Sequence, residues 1–132
     1  MPTLLVAQDQ ENAFVIEADA EQLEWGACPE FMPASCSIAV LQGEPGKPNA
    51  DIFFKLEAHT KVPDHWHHSA ERMVLMTGKM EVDYEGQDPE VMEHDSYAYG
   101  PPEHRHQAAC ISDEPCVLFI AFEEPIDAFA VE

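Results

Sequence analysis

Residues 64–78, DHWHHSAERMVLMTG, place two histidines one residue apart, a glutamate four residues later, and an apolar run that a glycine closes. On a β-strand, residues i and i+2 point to the same face, so His65 and His67 can direct two imidazoles at one point. A bend after them lets Glu71 return a carboxylate to that point. Such nitrogen and oxygen donors suit a divalent first-row transition metal. The alternative is a plain cluster of histidines beside a turn.

A second segment favours the metal. Residues 97–108, YAYGPPEHRHQA, place a Gly-Pro-Pro turn a few residues before His106. A histidine that follows such a turn is a natural fourth donor, which a chance cluster near residue 65 would not supply.

With both segments in view, the chain resembles the cupin superfamily. Its first motif, G-x5-H-x-H-x3/4-E-x6-G, matches residues 59–78 except that His59 replaces the opening glycine. Its second motif, G-x5-P-x-G-x2-H-x3-N, fits Pro101 and His106 within residues 94–110, but Glu103 and Cys110 replace the later glycine and the asparagine.

The resemblance implies a metal site and a fold. It implies that His65, His67, Glu71 and His106 bind one divalent transition metal per chain, with iron or manganese favoured and nickel, zinc or copper as alternatives. It also implies an all-β, single-domain jelly-roll barrel of two antiparallel sheets that spans residues 1–132.

The hydrophobic pattern agrees with that fold. Apolar runs separated by glycine and proline turns are typical of an all-β sandwich or barrel. In residues 51–58 the pattern alternates, with Ile52, Phe54 and Leu56 on one face. Residues 18–25 fit either a helical turn or a loop. Strands are predicted at residues 3–7, 13–16, 36–41, 51–58, 79–84, 95–99 and 116–122.

Charge and composition limit the partners. The chain has 6 Lys and Arg against 26 Asp and Glu, a formal net charge of −20. Such a field repels phosphates and anionic lipids, so we expect neither nucleic acid nor a membrane as partner. Adaptation to a saline environment, or solubility, explains the acidity more simply than attraction of a cationic or neutral substrate. Because no signal peptide or membrane-spanning run is visible, a cytoplasmic location is expected.

The four cysteines, Cys28, Cys36, Cys110 and Cys116, form neither a zinc knuckle nor a C-x-x-C pair. In a chain without a secretion signal we expect them to be reduced and packed as small apolar side chains. Cys110 lies four residues beyond His106 and would share its face of a strand.

Strand parity also predicts a small-molecule pocket. Met73 and Leu75 share the face of Glu71, Cys110 shares that of His106, and Phe54 is placed opposite. These side chains suit a small substrate with one chelating end and an apolar body, although ordinary core packing is the alternative. The candidates for a catalytic group beyond the metal are Tyr97, Tyr99 and His104.

The leading functional hypothesis is a metal-dependent dioxygenase that acts on a small diketone, enol or phenol. A cupin lyase or isomerase is the alternative within the enzymes, and a non-catalytic binding module is the alternative outside them. Cupin lyases that cleave dimethylsulfoniopropionate place a tyrosine two residues after the glutamate, where this chain has Met73, so Tyr97 or Tyr99 would have to serve. The resemblance also implies a homodimer, with residues 116–122 and the N-terminal strands as candidate contacts.

Overall fold

The computed structural model describes residues 11–132, in which eleven β-strands and no helix are found. Within this part of the chain, therefore, no helix has the length and apolar character needed to cross a bilayer. The strands are β1 (Trp25–Ala27), β2 (Ser37–Gln42), β3 (Asp51–Leu56), β4 (Thr60–Trp66), β5 (Glu71–Thr77), β6 (Met80–Tyr84), β7 (Glu90–Met92), β8 (Tyr97–Gly100), β9 (His106–Cys110), β10 (Cys116–Phe122) and β11 (Phe129–Ala130).

The strands form two sheets. Sheet A has the order β1-β2-β3-β10-β5-β8, and sheet B has the order β11-β4-β9-β6-β7. Every neighbouring pair is antiparallel. The all-β jelly roll expected from the sequence is confirmed.

The main core lies between the sheets and follows the alternation of the strands. In β3, Ile52, Phe54 and Leu56 point into this core. Phe53 points to the opposite face of sheet A, as the period-two pattern requires. Each strand of sheet A therefore presents one row of side chains to sheet B.

A smaller cluster covers the outer face of sheet A. Leu23 packs there on Phe53 and Val117, and the partly buried Ile16 and Trp25 join them. Ile16 packs against this cluster, but residues 13–16 do not pair as a strand, so the strand prediction there is wrong. Residues 18–24 form turns, which settles the alternatives in favour of a loop, and residues 3–7 lie outside the described residues.

Strand β10 is the middle of sheet A, between β3 and β5. One of its faces joins the main core and the other faces the outer cluster through Val117 and Phe119. Because both faces of β10 are packed against apolar side chains of the same chain, the apolar character of residues 116–122 is explained without a second subunit. Homodimerisation stays a prediction.

The cysteines differ from expectation. Cys28 is disulfide-bonded to Cys36 and Cys110 to Cys116, with Cα–Cα distances of 5.6 Å and 5.8 Å. No free cysteine is left in residues 11–132, so the prediction of reduced, separately packed cysteines is wrong. The second disulfide links the end of β9 in sheet B to the start of β10 in sheet A.

Candidate metal centre

Three histidines converge at one end of sheet B. His65 lies in β4, His67 directly follows that strand, and His106 is the first residue of β9, opposite His65 in the strand register. The ring centres are 4.3 Å apart for His65 and His106, 4.8 Å for His65 and His67, and 5.1 Å for His67 and His106. All three side chains are buried.

Backbone carbonyl groups fix the orientation of the three rings. In each ring Nδ1 donates a hydrogen bond to a carbonyl oxygen, which leaves the Nε2 lone pair free to accept a proton or bind a metal. The acceptors are Pro63 at 2.7 Å for His65, Asp127 at 2.8 Å for His67 and His104 at 2.8 Å for His106.

The three donors fit a metal ion. One ring nitrogen from each histidine lies within 4.8 Å of the others. Nε2 of His67 is fully buried and makes no hydrogen bond within the described residues, an arrangement that costs free energy unless a ligand satisfies it. Three convergent imidazoles are a donor set that zinc, copper, iron and nickel all accept.

Glu71 reaches the same point from the other sheet. It is the first residue of β5, and its Oε1 lies 3.3 Å from Nε2 of His67 and 3.6 Å from Nε2 of His106. The structure thus brings together all four residues that the sequence motifs singled out. Glu71 belongs to sheet A and the histidines lie at the end of sheet B, so the packing of the two sheets brings them together.

The pKa values of these four side chains depend on their burial and on the charges of their neighbours within the group. Burial lowers the pKa of His65 to about 4, and the neighbouring His106 adds to the effect. Burial also lowers the pKa of His106. For His67, burial acts in the same direction, but the Glu71 carboxylate outweighs it and raises the pKa. Glu71, although completely buried, has its pKa lowered because His67 outweighs the effect of burial.

A cavity of about 160 Å³ lies between the sheets, with the histidines at one side. Apolar side chains form most of its lining, and no Lys or Arg of residues 11–132 is among them. Of the predicted pocket residues, Phe54 and Met73 line it. The other apolar strand residues are Ile38, Ile52, Val62, Met80, Val82, Ala108, Leu118, Ile120 and Phe122.

Two predicted pocket residues lie outside this lining. Leu75 is completely buried in the core, where it pairs with Leu118 across β5 and β10. Cys110 is held in its disulfide to Cys116. Both occupy the part of the core away from the histidines, because β5 and β9 carry their later residues past the end of the cavity.

The predicted catalytic candidates also lie elsewhere. The side chains of Tyr97 and Tyr99 are exposed on the outer face of β8, at 61% and 49%. His104 is half-buried, and its Nε2 donates to the carbonyl oxygen of Glu85. None of the three lines the cavity.

Tyr84 lines the cavity instead, and the sequence analysis missed it. It is the last residue of β6, opposite His106 in the register, and the two rings are 4.6 Å apart. Burial and the Glu71 carboxylate raise its pKa, so the phenol stays protonated. Gly100 makes room for it, since a Cβ at that position would lie 2.6 Å from the Tyr84 hydroxyl.

A signal for Tyr84 did exist in the sequence. The strand at residues 79–84 was predicted, and Met80 and Tyr84 share one of its faces by parity. What the sequence lacks is the pairing of β6 with β9, which places that face beside His106.

The two arginines nearest the ligands point away from the cavity. Arg72 pairs with Glu123, and Nη2 of Arg105 lies 2.7 Å from Oδ2 of Asp64. Both guanidinium groups are exposed at the surface. Neither arginine therefore reaches into the cavity to hold an anionic group such as a phosphate.

Comparison with known structures gives the same fold. The DMSP lyase DddQ from Ruegeria pomeroyi has a TM-score of 0.71 at 18% identity, over 83% of this chain and 61% of the lyase. A cupin-2 domain from Rhodospirillum rubrum has a TM-score of 0.73 at 14% identity, over 92% and 84% of the two chains. The polyketide cyclase RemF from Streptomyces resistomycificus has a TM-score of 0.72 at 13% identity, over 90% and 87%.

These identities are low, so the likeness concerns the fold alone. The chain spans less than two thirds of the length of the DMSP lyase. No curated protein matches the chain. The sequence model of the ChrR cupin-like domain, however, matches residues 13–125, which is most of the chain and includes every residue of the centre. The protein is therefore a member of the ChrR cupin-like domain family.

Proposed function

We propose that this protein is a metal-dependent enzyme that acts on a small, largely apolar molecule. The observation that carries the proposal is the convergence of three buried imidazoles, each oriented by a backbone carbonyl, on the edge of an apolar cavity. A site for structural metal needs no such cavity, whereas a catalytic site keeps room for substrate.

The residues that would hold the metal are His65, His67 and His106, with Glu71 as the fourth ligand. A bound divalent transition metal supplies Lewis-acid polarisation, and iron or manganese adds redox chemistry with oxygen. The Nδ1–carbonyl hydrogen bonds keep each ring in the tautomer whose Nε2 is available. The carboxylate of Glu71 balances part of the positive charge.

The cavity limits the substrate by size and polarity. Its volume of about 160 Å³ is close to that of an engineered apolar cavity that accepts benzene. Because most of the lining is apolar and no Lys or Arg of residues 11–132 belongs to it, a molecule with an apolar body fits the part of the cavity away from the histidines. A small diketone, enol or phenol, with oxygen atoms at one end and an apolar body, has both properties. We therefore propose a dioxygenase reaction on such a compound.

A lyase or isomerase reaction is the second candidate, and Tyr84 is the observation that favours it. Its protonated phenol lines the cavity beside His106, where it can donate a hydrogen bond or a proton to a bound substrate. Among the proteins of similar fold are a DMSP lyase and a polyketide cyclase. Neither of those reactions is an oxygenation.

The metal assignment is tested by elemental analysis of the protein and of His106→Ala. Loss of one of three imidazoles should weaken metal binding more than roughly 100-fold, since even partners of ligands contribute 10–100-fold. The fold should persist because the core around the cavity is apolar. The matched control is His94→Ala, an exposed histidine outside the centre. Full metal content in His106→Ala would contradict the assignment.

The reaction class is tested with the metal-loaded protein in an oxygen electrode and under anaerobic conditions. Consumption of oxygen with a diketone or phenol supports the dioxygenase. Anaerobic conversion of a substrate supports the lyase or isomerase. Tight binding of such compounds without turnover would overturn the proposal of an enzyme and leave a binding module.

A further inference from the structure

Residues 28–36, here called the cap, cross one end of the cavity. The cap connects β1 to β2, so both of its ends lie on sheet A. The ring of Phe31 nevertheless lies 6.0 Å from the ring of His65, which belongs to sheet B. The cap therefore bridges the gap between the sheets beside the metal centre.

The cap also forms part of the cavity wall. Pro29 and Met32 line the cavity, and Met32 is only 9% exposed. The thioether of Met32 packs in the main core cluster, and Phe31 is partly buried against that cluster. Any displacement of the cap would open the cavity at this end.

Local contacts shape the cap into two turns. The amide of Met32 donates to the carbonyl oxygen of Pro29 at 2.9 Å, and the amide of Cys36 donates to that of Pro33 at 3.0 Å. The two prolines restrict the backbone further, because their φ angles are fixed by the ring. The cap can thus move as one piece about its two ends.

The disulfide is the main restraint on those ends. Cys28 and Cys36 are the first and last residues of the cap. The strand that precedes the cap, β1, has only three residues, and within residues 11–132 it pairs with β2 alone and forms the edge of sheet A. Such a short edge strand frays easily. Without the disulfide, the hold on the cap over the cavity would rest on the contacts of Phe31 and Met32 with the core.

We propose that the cap determines which ligands the cavity accepts: Met32 sets the size limit, and the Cys28–Cys36 disulfide holds Met32 in place. Reduction by a dithiol releases this restraint. In that step the sulfur–sulfur bond breaks, both cysteines become thiols, and the dithiol is oxidised to its own disulfide. The inference rests on the proposed function only in taking the cavity as the ligand site.

The size limit is tested in metal-free protein with N-phenyl-1-naphthylamine, a neutral probe that is larger than benzene and fluoresces in apolar surroundings. Met32→Ala should bind it roughly tenfold more tightly than the wild type, as expected when a binding-competent state becomes better populated. Binding of benzene, whose size matches the volume of the cavity, should not change. The control is Met76→Ala, a partly exposed methionine in β5 outside the lining. Equal probe affinity in Met32→Ala and Met76→Ala would overturn the size limit.

The role of the disulfide is tested with the double variant Cys28→Ser/Cys36→Ser and the matched double variant Cys110→Ser/Cys116→Ser. Only the first should gain about tenfold in probe affinity without reductant. Dithiothreitol should produce the same gain in the wild type. If a variant does not fold, hydrogen exchange of oxidised and reduced wild type decides, with faster exchange expected at residues 29–35. Exchange and affinity that do not respond to reduction would overturn the proposal.

These measurements use no metal, so they are independent of the metal assignment. A metal centre that fails its own test would leave the probe results unchanged. Conversely, a probe affinity that stays the same in the cap variants would overturn the role of the cap without changing the result of the metal analysis.

Discussion

The imidazole of His65 is 4% exposed and lies 4.3 Å, centre to centre, from that of His106. Burial and this neighbour lower its pKa to about 4, which is below the value of about 6.5 expected in the unfolded chain. Between these two pH values the unfolded chain binds a proton that the folded protein does not. A buried histidine with a pKa lowered in this way makes the metal-free fold sensitive to acid.

We therefore predict that the metal-free protein loses stability as the pH falls from about 6.5 to about 4. The contribution of His65, fully present above pH 6.5, amounts to about 3 kcal/mol and is lost across that window. Urea unfolding of the wild type and of His65→Gln at pH 7 and at pH 4 measures it. The raised pKa of His67 acts in the opposite direction but is present in both proteins. Equal pH dependence in the two would contradict the prediction.

Tyr84 is the second residue with a specific expectation. Tyr84→Phe keeps the ring beside His106 and removes only the hydroxyl. If the phenol donates a proton to the substrate, kcat should fall roughly 100-fold or more. Metal content should stay at the wild-type level, because Tyr84 is not among the grouped ligands. Tyr97→Phe, on the exposed outer face of β8, is the control, and an equal kcat in both variants would remove Tyr84 from the reaction.

At this scale the sequence predicted which four residues lie together but not their surroundings. His65, His67 and Glu71 are close in sequence, and an i, i+2 spacing on a strand is enough to group the first two. Tyr84 is not recognisable in that way, because only the pairing of β6 with β9 brings it to His106. Leu75 has the parity of Glu71 but lies in the core beyond the cavity. The odd or even spacing of residues predicts which face of a strand a side chain lies on. It does not predict whether that part of the strand lies beside the cavity.

Among the connections between elements, the turn from β5 to β6 depends on a glycine. Gly78 has a φ of +86°, and a Cβ there would lie 2.7 Å from Sγ of Cys116 and 2.9 Å from the carbonyl oxygen of Pro115. Both the backbone conformation and the space exclude a side chain.

Gly78→Ala should therefore lower the free energy of unfolding by about 2 kcal/mol or more. Chemical denaturation followed by circular dichroism measures the change. Gly46→Ala is the matched control, because a Cβ at Gly46 meets no atom within 4 Å and its φ is not positive. Similar losses in both variants would show that the left-handed conformation and the close approach at Gly78 contribute little.

The disulfides illustrate what the sequence leaves out at the scale of elements. Cys28 and Cys36 become neighbours because β1 and β2 pair with Ala27 opposite Ser37, which places the next residue pair at the base of the connection. Neither the spacing in the sequence nor the missing secretion signal reveals that register. The alternation in β3, by contrast, was visible in residues 51–56. The two faces of this strand have different surroundings, so apolar side chains recur at every second residue of the sequence.

At the scale of the whole molecule, the charge of −20 is the dominant property. Four of the six Lys and Arg side chains form ion pairs in the described part of the chain, for example Lys47 with Glu44 and Lys79 with Glu93. With 26 Asp and Glu in the chain, most carboxylates have no Lys or Arg to pair with. Their mutual repulsion destabilises a compact state and is screened by salt.

We predict that raising sodium chloride from about 0.01 M to about 1 M increases Tm by about 5 °C, or roughly 1 kcal/mol of stability. Scanning calorimetry of the metal-free protein measures it. Choline chloride is the control, since screening depends on ionic strength and not on the identity of the cation. An effect of sodium alone would point to specific ion binding in place of screening.

The position of β10 in the middle of sheet A has a consequence for the synthesis of the protein. On the ribosome, β1 to β3 and then β5 and β8 emerge as two separate parts of one sheet, and residues 116–122 can join them only after both parts have been synthesised. Until then β3 and β5 each expose an unpaired edge that can pair with another nascent chain. Sheet A therefore cannot be completed while β10 is still being made, and shielding of the β3 and β5 edges during that interval would protect the nascent chain from aggregation.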